Sequence, residues 1–282
     1  MSPKPDSRVP VPGRIAFIGG GNMARSLIGA LVRGGTPADA IAVAEPNAEL
    51  RAALARDFGI AVHDHARAAI EGAGVLVLAV KPQVLKDVCA EIAAHVAAAR
   101  PLVISIAAGI RIDQLAAWLG PGVPLVRSMP NTPALIGAGA TGMIANDDAD
   151  AAQRAVAEAL LGAAGSTVWI EREELMDTVT ALSGSGPAYF FLLVEALEDA
   201  AVAQGLPRAT ARALATQTCF GAGRMLVEDR DPPTVLRERV TSPGGTTAAA
   251  LDAFANGHLR ALVASAVAAA TTRGKELSER YS

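Results

Sequence analysis

The 282-residue chain predicts an α/β fold: a doubly wound parallel sheet at the N-terminal end, followed by an all-helical domain. Three observations carry this. Short apolar runs of β type alternate with helical runs through the first part, as βαβ units require. The first such run ends in three consecutive glycines, Gly19-Gly20-Gly21, directly before a helical run. From about residue 173 onward the helical runs continue and no strand pattern returns.

Arg14–Ile18 reads as a buried strand, and Asn22–Arg33 as the helix after the glycines. Ile41–Ala44 is a second strand, with a helix over 48–57 and a short third strand near 60–62. The run 75–80 is apolar throughout, as a parallel strand covered on both faces should be. Strands five and six are expected at 102–106 and from residue 124. Two more, Gly139–Ala145 and 167–170, close the sheet. Helices are expected over 174–182, 187–204, 209–228, 233–240 and 247–255, with a last one from about His258. Pro207 and the Pro232-Pro233 pair sit at helix starts. The expected organisation is a disordered lead-in over 1–13, a dinucleotide-binding domain over 14–171 and a helical domain over 172–282.

Composition narrows the function classes. A net charge of −3 and a pI near 5.8 leave no basic footprint for nucleic acid. The apolar stretch at 261–270 is too short to span a bilayer, so no membrane association is expected. The lead-in lacks an apolar core of signal-peptide length. Cys89 and Cys219 match no metal or redox spacing, which suits a reducing cytoplasm, with both thiols buried and inert. Hydrophobic residues make up 51% of the chain but aromatic ones only 4%, because alanine is abundant. Small side chains let helices approach closely, and the helical domain is expected to pair at least as a dimer rather than expose its apolar surface. A GC-rich genome would leave the same composition.

Two glycine-containing turns carry the chemistry. Gly19-Gly20-Gly21-Asn22-Met23-Ala24 has the form G-x-G-x-x-A between a strand and a helix, the context of a Rossmann dinucleotide fold. The first glycine permits the turn, Gly21 lets backbone approach a pyrophosphate, and Ala24 allows close helix–strand packing. Glu45, at the end of the second strand, stands where an acid holds a ribose 2′-hydroxyl. Arg51 is either a ligand for a 2′-phosphate or a solvated helix charge. The second turn, Ser242-Pro243-Gly244-Gly245-Thr246-Thr247, opens an Ala-rich helix and offers amide N–H groups and hydroxyls to an anion. A plain capping turn is the bland reading of the same residues.

Other loops follow strand ends, where ligands of doubly wound sheets bind. They are Ala79-Val80-Lys81-Pro82, Ser105-Ile106-Ala107-Ala108-Gly109 and Met129-Pro130-Asn131-Thr132-Pro133. Lys81 sits at a helix start, against the dipole, as a cofactor ligand or a surface lysine; Asn131 is a ligand or a turn residue. Ser183-Gly184-Ser185-Gly186-Pro187 opens a long helix, as a nicotinamide-packing segment or as a hinge capped by Ser183 or Ser185. Glu195, Glu198 and Asp199 form either an acid–base pair or an ion-paired face. The four histidines have no partner pattern for a metal, and none is expected.

Taken in order, these motifs, with Ile18 ahead of the first and Ala188-Tyr189 after the serine–glycine segment, resemble the pyrroline-5-carboxylate reductase family from Arg14 onward. The resemblance implies an N-terminal Rossmann domain, a helical dimerisation domain and a homodimer that often builds a decamer. It implies reduction of L-1-pyrroline-5-carboxylate to L-proline with NADPH or NADH. Ile18, Gly19, Gly20, Gly21, Asn22, Met23, Glu45, Ala79, Val80, Lys81, Pro82, Ile106, Ala107, Ala108 and Asn131 would hold the cofactor. Ser242, Gly244, Gly245, Thr246 and Thr247 would hold the substrate, with Thr247 the catalytic hydroxyl. Many members carry serine or threonine where Glu45 stands, so cofactor preference stays open. Two other readings compete: a β-hydroxyacid dehydrogenase, disfavoured because no lysine lies between Lys86 and Lys275, and an NAD(P)-binding sensor without turnover, which would have no need of the Ser242–Thr247 turn.

Overall fold

A computed structural model describes residues 13–280; the expected lead-in at 1–13 lies, but for Gly13, outside them. The chain packs as two compact units. Residues up to Gly184 and those from Ala270 on make the first, and Ser185–Ala269 the second.

The first unit begins with β1 (Arg14–Ile18), α1 (Asn22–Arg33), β2 (Ile41–Ala44), α2 (Ala48–Phe58), β3 (Ala61–His63), α3 (Ala66–Ile70), β4 (Ala73–Leu78) and α4 (Pro82–Ala99). It continues through β5 (Leu102–Ser105), α5 (Ile112–Leu119), β6 (Leu125–Met129), β7 (Gly139–Ala145), α6 (Ala151–Gly162), β8 (Gly165–Trp169) and the short α7 (Met176–Val179). The sheet order is β3-β2-β1-β4-β5-β6-β7-β8. All neighbours run parallel except β6 and β7. The order reverses between β1 and β4, so helices cover both faces and a crevice opens beyond the carboxyl ends of those two strands.

Period-2 alternation explains why these strands are apolar throughout. Ile15 and Phe17 point to a face covered by Leu27, Ile28 and Leu31 of α1 and by Leu160 of α6. Ala16 and Ile18 point to the opposite face, against Ile70 of α3, Leu85, Cys89 and Ile92 of α4 and Leu115 of α5. Burying both faces of a strand removes every side chain from water, and each fully buried Leu, Ile or Phe contributes roughly 1.5–3 kcal/mol.

Differences from the sequence expectation have local causes. β4 ends at Leu78, two residues early, because Pro82 starts the next helix and Lys81 takes extended backbone as its cap. The helix expected over 174–182 is a 3₁₀ turn at Glu173–Leu175, a single turn of α7 and a π-helical turn at Thr180–Gly184. Ser183 bonds its hydroxyl to the Val179 carbonyl at 2.9 Å, and Gly184 lets Met129 pack where a Cβ would lie 2.7 Å from its Cε. Widened turns of this kind recur at functional sites.

The second unit holds α8 (Gly186–Ala203), α9 (Arg208–Glu228), α10 (Pro233–Arg239), α11 (Thr246–Asn256) and the first half of α12 (Leu259–Glu279). α8 and α9 pack as a hairpin. Glu198 of α8 is buried between two arginines of α9: Oε1 accepts from Arg208 at 2.8 Å and Oε2 from Arg212 at 2.9 Å. Those hydrogen bonds, Arg212 first, hold its carboxyl below the usual range, so this acid is the ion-paired alternative and not a proton donor. Ser185 caps α8 without any side-chain hydrogen bond, and Ser183 bonds backwards, so neither gives the hydroxyl cap expected.

The cysteines divide. Cys89 is fully buried under the sheet, and burial pushes its thiol up to about 12. Cys219 is half-buried, not buried as expected. Because the thiolate is the reactive form, Cys89 should resist a disulfide reagent at pH 8 in native protein and react only once denaturant opens the sheet. Labelling of Cys89 at the same rate with and without denaturant would contradict this.

Candidate active site

The β1–α1 turn is shaped by approach distances. Gly19 has φ +101°, and a Cβ there would lie 2.6 Å from the Ala79 carbonyl oxygen and 3.0 Å from Val80. Its own N–H donates to the Ala44 carbonyl at 2.8 Å. The first glycine therefore passes between the ends of β2 and β4 where no side chain fits. A Cβ on Gly20 would meet Leu54 at 2.6 Å. Gly21 is different: a Cβ there would meet nothing within 4 Å, so its backbone faces open space.

Gly21 also caps α1, with no side chain bonded to the helix end. The first amides of a helix have no partner inside it, so those of Asn22 and Met23 join the dipole in offering an anion site. Ala24 is buried in the core, which seats α1 against the sheet. These residues fit the pyrophosphate of a dinucleotide.

Glu45 follows β2 and is 8% exposed. Its Oε2 accepts the Gly20 N–H at 2.8 Å and its Oε1 the Asn47 N–H at 2.9 Å. Arg51 is not a solvated charge: its Nη1 donates to the carbonyls of Glu45 and Pro46, each at 2.7 Å.

The remaining expected cofactor residues lie at the carboxyl ends of β4, β5 and β6. Ala79 donates its N–H to the Ile18 carbonyl and Ile106 to the Leu78 carbonyl, which links three loops into one rim. Lys81 is exposed at the start of α4. Ala107 is buried and Ala108 exposed. A cavity of about 130 Å³ opens beside Pro82 and Ala108, with Asp177, Thr180 and Gly274 on its other walls. Asn131 is buried, and its amide is engaged within the protein: Nδ2 donates to the Ser183 carbonyl and Oδ1 accepts the Ala140 N–H, both at 2.9 Å. It ties the β6 loop to the π-helical turn.

The second turn lies in the other unit and is built by the same logic. Gly245 donates its N–H to the Ser242 carbonyl at 3.0 Å, and Gly244 has φ +69°. Pro at the second position and a left-handed glycine at the third fit a type II turn. Gly245 then caps α11 with no side-chain hydrogen bond, leaving the amides of Thr246 and Thr247 without helical partners. The approach to the turn is anchored: the Thr241 hydroxyl donates to the Arg237 carbonyl at 2.7 Å, and Arg239 pairs with Asp229 and Asp231.

Sequence reasoning missed one buried pair. Arg127 of β6 donates to Glu173 Oε1, which also accepts the Ile112 N–H at 3.2 Å. The pair joins β6 to the start of α5 and to the 3₁₀ turn. A lone arginine inside an otherwise apolar strand run was the signal, since such a charge requires a partner. No group of three or more His, Cys, Asp or Glu among the described residues is arranged to hold a metal, and no helix among them is long and apolar enough to cross a membrane.

Family models match both parts of the chain. A family model described as pyrroline-5-carboxylate reductase dimerisation matches residues 173–277. One described as NADP oxidoreductase, coenzyme F420-dependent, matches residues 14–109. A pyrroline-5-carboxylate reductase of Pseudomonas aeruginosa is 49% identical over 269 residues, covering 95% of this chain and 97% of the relative. A solved pyrroline-5-carboxylate reductase from Coxiella burnetii superposes with a TM-score of 0.92 at 41% identity, covering 94% and 98% of the two chains. The Plasmodium falciparum pyrroline carboxylate reductase, solved with NADP bound, gives 0.82 at 27% identity over 95% and 99%. With both turns in place and likeness running through nearly the whole length of relative and chain alike, the protein belongs to the pyrroline-5-carboxylate reductase family.

Proposed function

We infer that the chain reduces the cyclic imine L-1-pyrroline-5-carboxylate to L-proline with NADPH or NADH. The observation that carries this is the 49% identity to a pyrroline-5-carboxylate reductase over 95% of the chain, and the glycine-capped helix starts at Gly21 and Gly245 support it. The amides at Gly21 to Met23 hold the pyrophosphate, and the rim of Ala79 to Pro82 with Ile106 to Ala108 lines the dinucleotide. Asn131 contributes by fixing its loop. The turn from Ser242 to Thr247 holds the substrate carboxylate on the amides of Gly245, Thr246 and Thr247. A reduced nicotinamide held by the dinucleotide residues would supply the hydride that the imine carbon takes up.

The ring nitrogen gains a proton as the C=N bond becomes C–N. Thr247 is the hydroxyl we place at that nitrogen: it donates its proton and takes another from water. Neither metal nor covalent intermediate enters this scheme; the protein's contribution is to orient imine and donor. A cytoplasmic setting is proposed from the two unpaired cysteines. The sensor reading is set aside because it leaves the Ser242–Thr247 turn without purpose.

Self-association follows from the family and from the surface of the second unit. Phe190, Phe191, Leu214, Phe220, Val227 and Leu262 are all exposed in the single chain, more apolar area than a monomer presents. We propose a dimer through these helices, assembled five-fold into a decamer.

Three outcomes test this reading. Thr247→Ala should lower kcat by about 10²–10⁴-fold with NADPH affinity nearly intact; steady-state kinetics beside a binding titration decide it, and an unchanged kcat removes Thr247 from the role. Gly19→Ala should abolish dinucleotide binding and cost stability by about 1–3 kcal/mol through its positive φ, read by calorimetry and melting. Light scattering should give at least twice the chain mass, and a single-chain mass would refute the interface.

A further inference from the structure

The end of β2 carries a charge arrangement that bears on which dinucleotide is used. Glu45 is buried and held at both carboxylate oxygens, by the Gly20 N–H at 2.8 Å and the Asn47 N–H at 2.9 Å. A carboxylate fixed twice to backbone cannot swing aside when a ligand arrives, and removing it leaves two amides without acceptors. Its carbon chain also packs close to Gly20, where a Cβ would lie 3.2 Å from Glu45 Cβ.

The neighbouring cation is engaged through one of its nitrogens. Arg51 uses Nη1 to bond the carbonyls of Glu45 and Pro46, which holds its guanidinium against the loop backbone. Its field also reaches Asp64 after β3, whose carboxyl lies below the usual range chiefly through its hydrogen bond with His65 and to a smaller degree through Arg51. Glu49 adds another acid in the first turn of α2. At this corner the buried carboxylate is that of Glu45, while Asp64 is exposed and bonded to His65 at 2.6 Å.

In a fold of this kind the residue after β2 meets the adenosine ribose. Each oxygen of a carboxylate has two acceptor sites, so Glu45 keeps acceptor capacity for a 2′-hydroxyl. A 2′-phosphate would instead bring a dianion against a fixed, buried negative charge, and like charges in close contact cost several kcal/mol. We propose that Glu45 has two roles in this chain: it clamps the glycine turn to the end of β2, and it makes the site select NADH over NADPH. The proposal rests on the reductase reading for its cofactor and on Glu45 for its direction.

Calorimetric titration of the full-length protein with ADP-ribose and with its 2′-phosphorylated form separates the two parts. The wild type should bind ADP-ribose at least about tenfold more tightly. Glu45→Ser should weaken ADP-ribose through loss of the clamp and shift the ratio toward the 2′-phosphate by about tenfold or more. Arg51→Ala should leave the ratio within about twofold, because its guanidinium serves the loop. Equal or tighter wild-type binding of the phosphorylated form overturns the proposal. So does an unchanged ratio in Glu45→Ser, or a loss confined to the phosphorylated form in Arg51→Ala. If Glu45→Ser does not fold, the wild-type ratio and Arg51→Ala still decide. Preference for ADP-ribose without imine-dependent NADH oxidation would instead strike the reductase reading and leave the selection intact.

Discussion

The close approach of the β1–α1 turn to the end of β4 is the constraint on which the candidate site depends. The sheet order reverses between these two strands, so chains leaving them depart to opposite faces, and the gap at their carboxyl ends is the one place where a ligand reaches the sheet edge. Gly19 crosses that gap with 2.6 Å between a notional Cβ and the Ala79 carbonyl. A residue with a side chain would force the turn away from β4 and carry the start of α1 with it. Every later feature, from the free amides at Asn22 to the rim formed by Ala79 and Ile106, presumes that this crossing is made by bare backbone.

The two ligand turns solve the same problem with different local chemistry. Both start a helix on a glycine cap, a residue accepted at that position though it brings no side-chain acceptor. Elsewhere the chain uses side-chain caps: Asn47 bonds the Leu50 N–H at the start of α2, and Asp150 with Gln153 forms a capping box on α6. Several other helices, α3, α4, α8, α9 and α10, also start without a side-chain cap, so what sets Gly21 and Gly245 apart is a glycine cap at the end of a glycine-containing turn. Pro243 compensates by fixing the backbone before Gly244, which lowers the entropy of ordering the turn.

Much of this was legible in the sequence because the relevant signals are local. Strand β1, the glycine turn, α1 and β2 fall at the expected residues, since apolar runs and glycines act over a few positions. The turn at Ser242–Thr247 and the helix it opens were legible for the same reason. What escaped was tertiary. Glu45 was read as a ribose ligand, yet its clamp on Gly20 spans 25 residues. Asn131 was read as a ligand or a turn residue, but its amide reaches Ser183 and Ala140. The π-helical turn at Thr180–Gly184 has helix-forming composition and differs only in register, which Gly184 and Met129 settle by contact. For Arg51 the sequence offers a 2′-phosphate ligand or a solvated charge and not its carbonyl partners, because carbonyls leave no trace in sequence.

The helical unit shows how composition and assembly are linked. Its helices carry apolar residues around much of their circumference: on α8, Phe190, Phe191 and Leu192 are consecutive and all exposed, with Phe191 at 69%. Consecutive positions on a helix point about 100° apart, so no single flat partner covers all three. Burial on several sides requires helices that interleave, and interleaving requires small residues at the crossings. The alanines supply them, since a helix lined with alanine lets a neighbouring backbone come near while keeping high helix propensity. Aromatic residues are few, 4% of the chain, and Phe190, Phe191, Phe220 and Phe254 of this unit are exposed in the single chain. Low aromatic content and a large apolar fraction are therefore compatible features of one helical unit, whose exposed apolar residues fit the dimerisation family that its sequence matches.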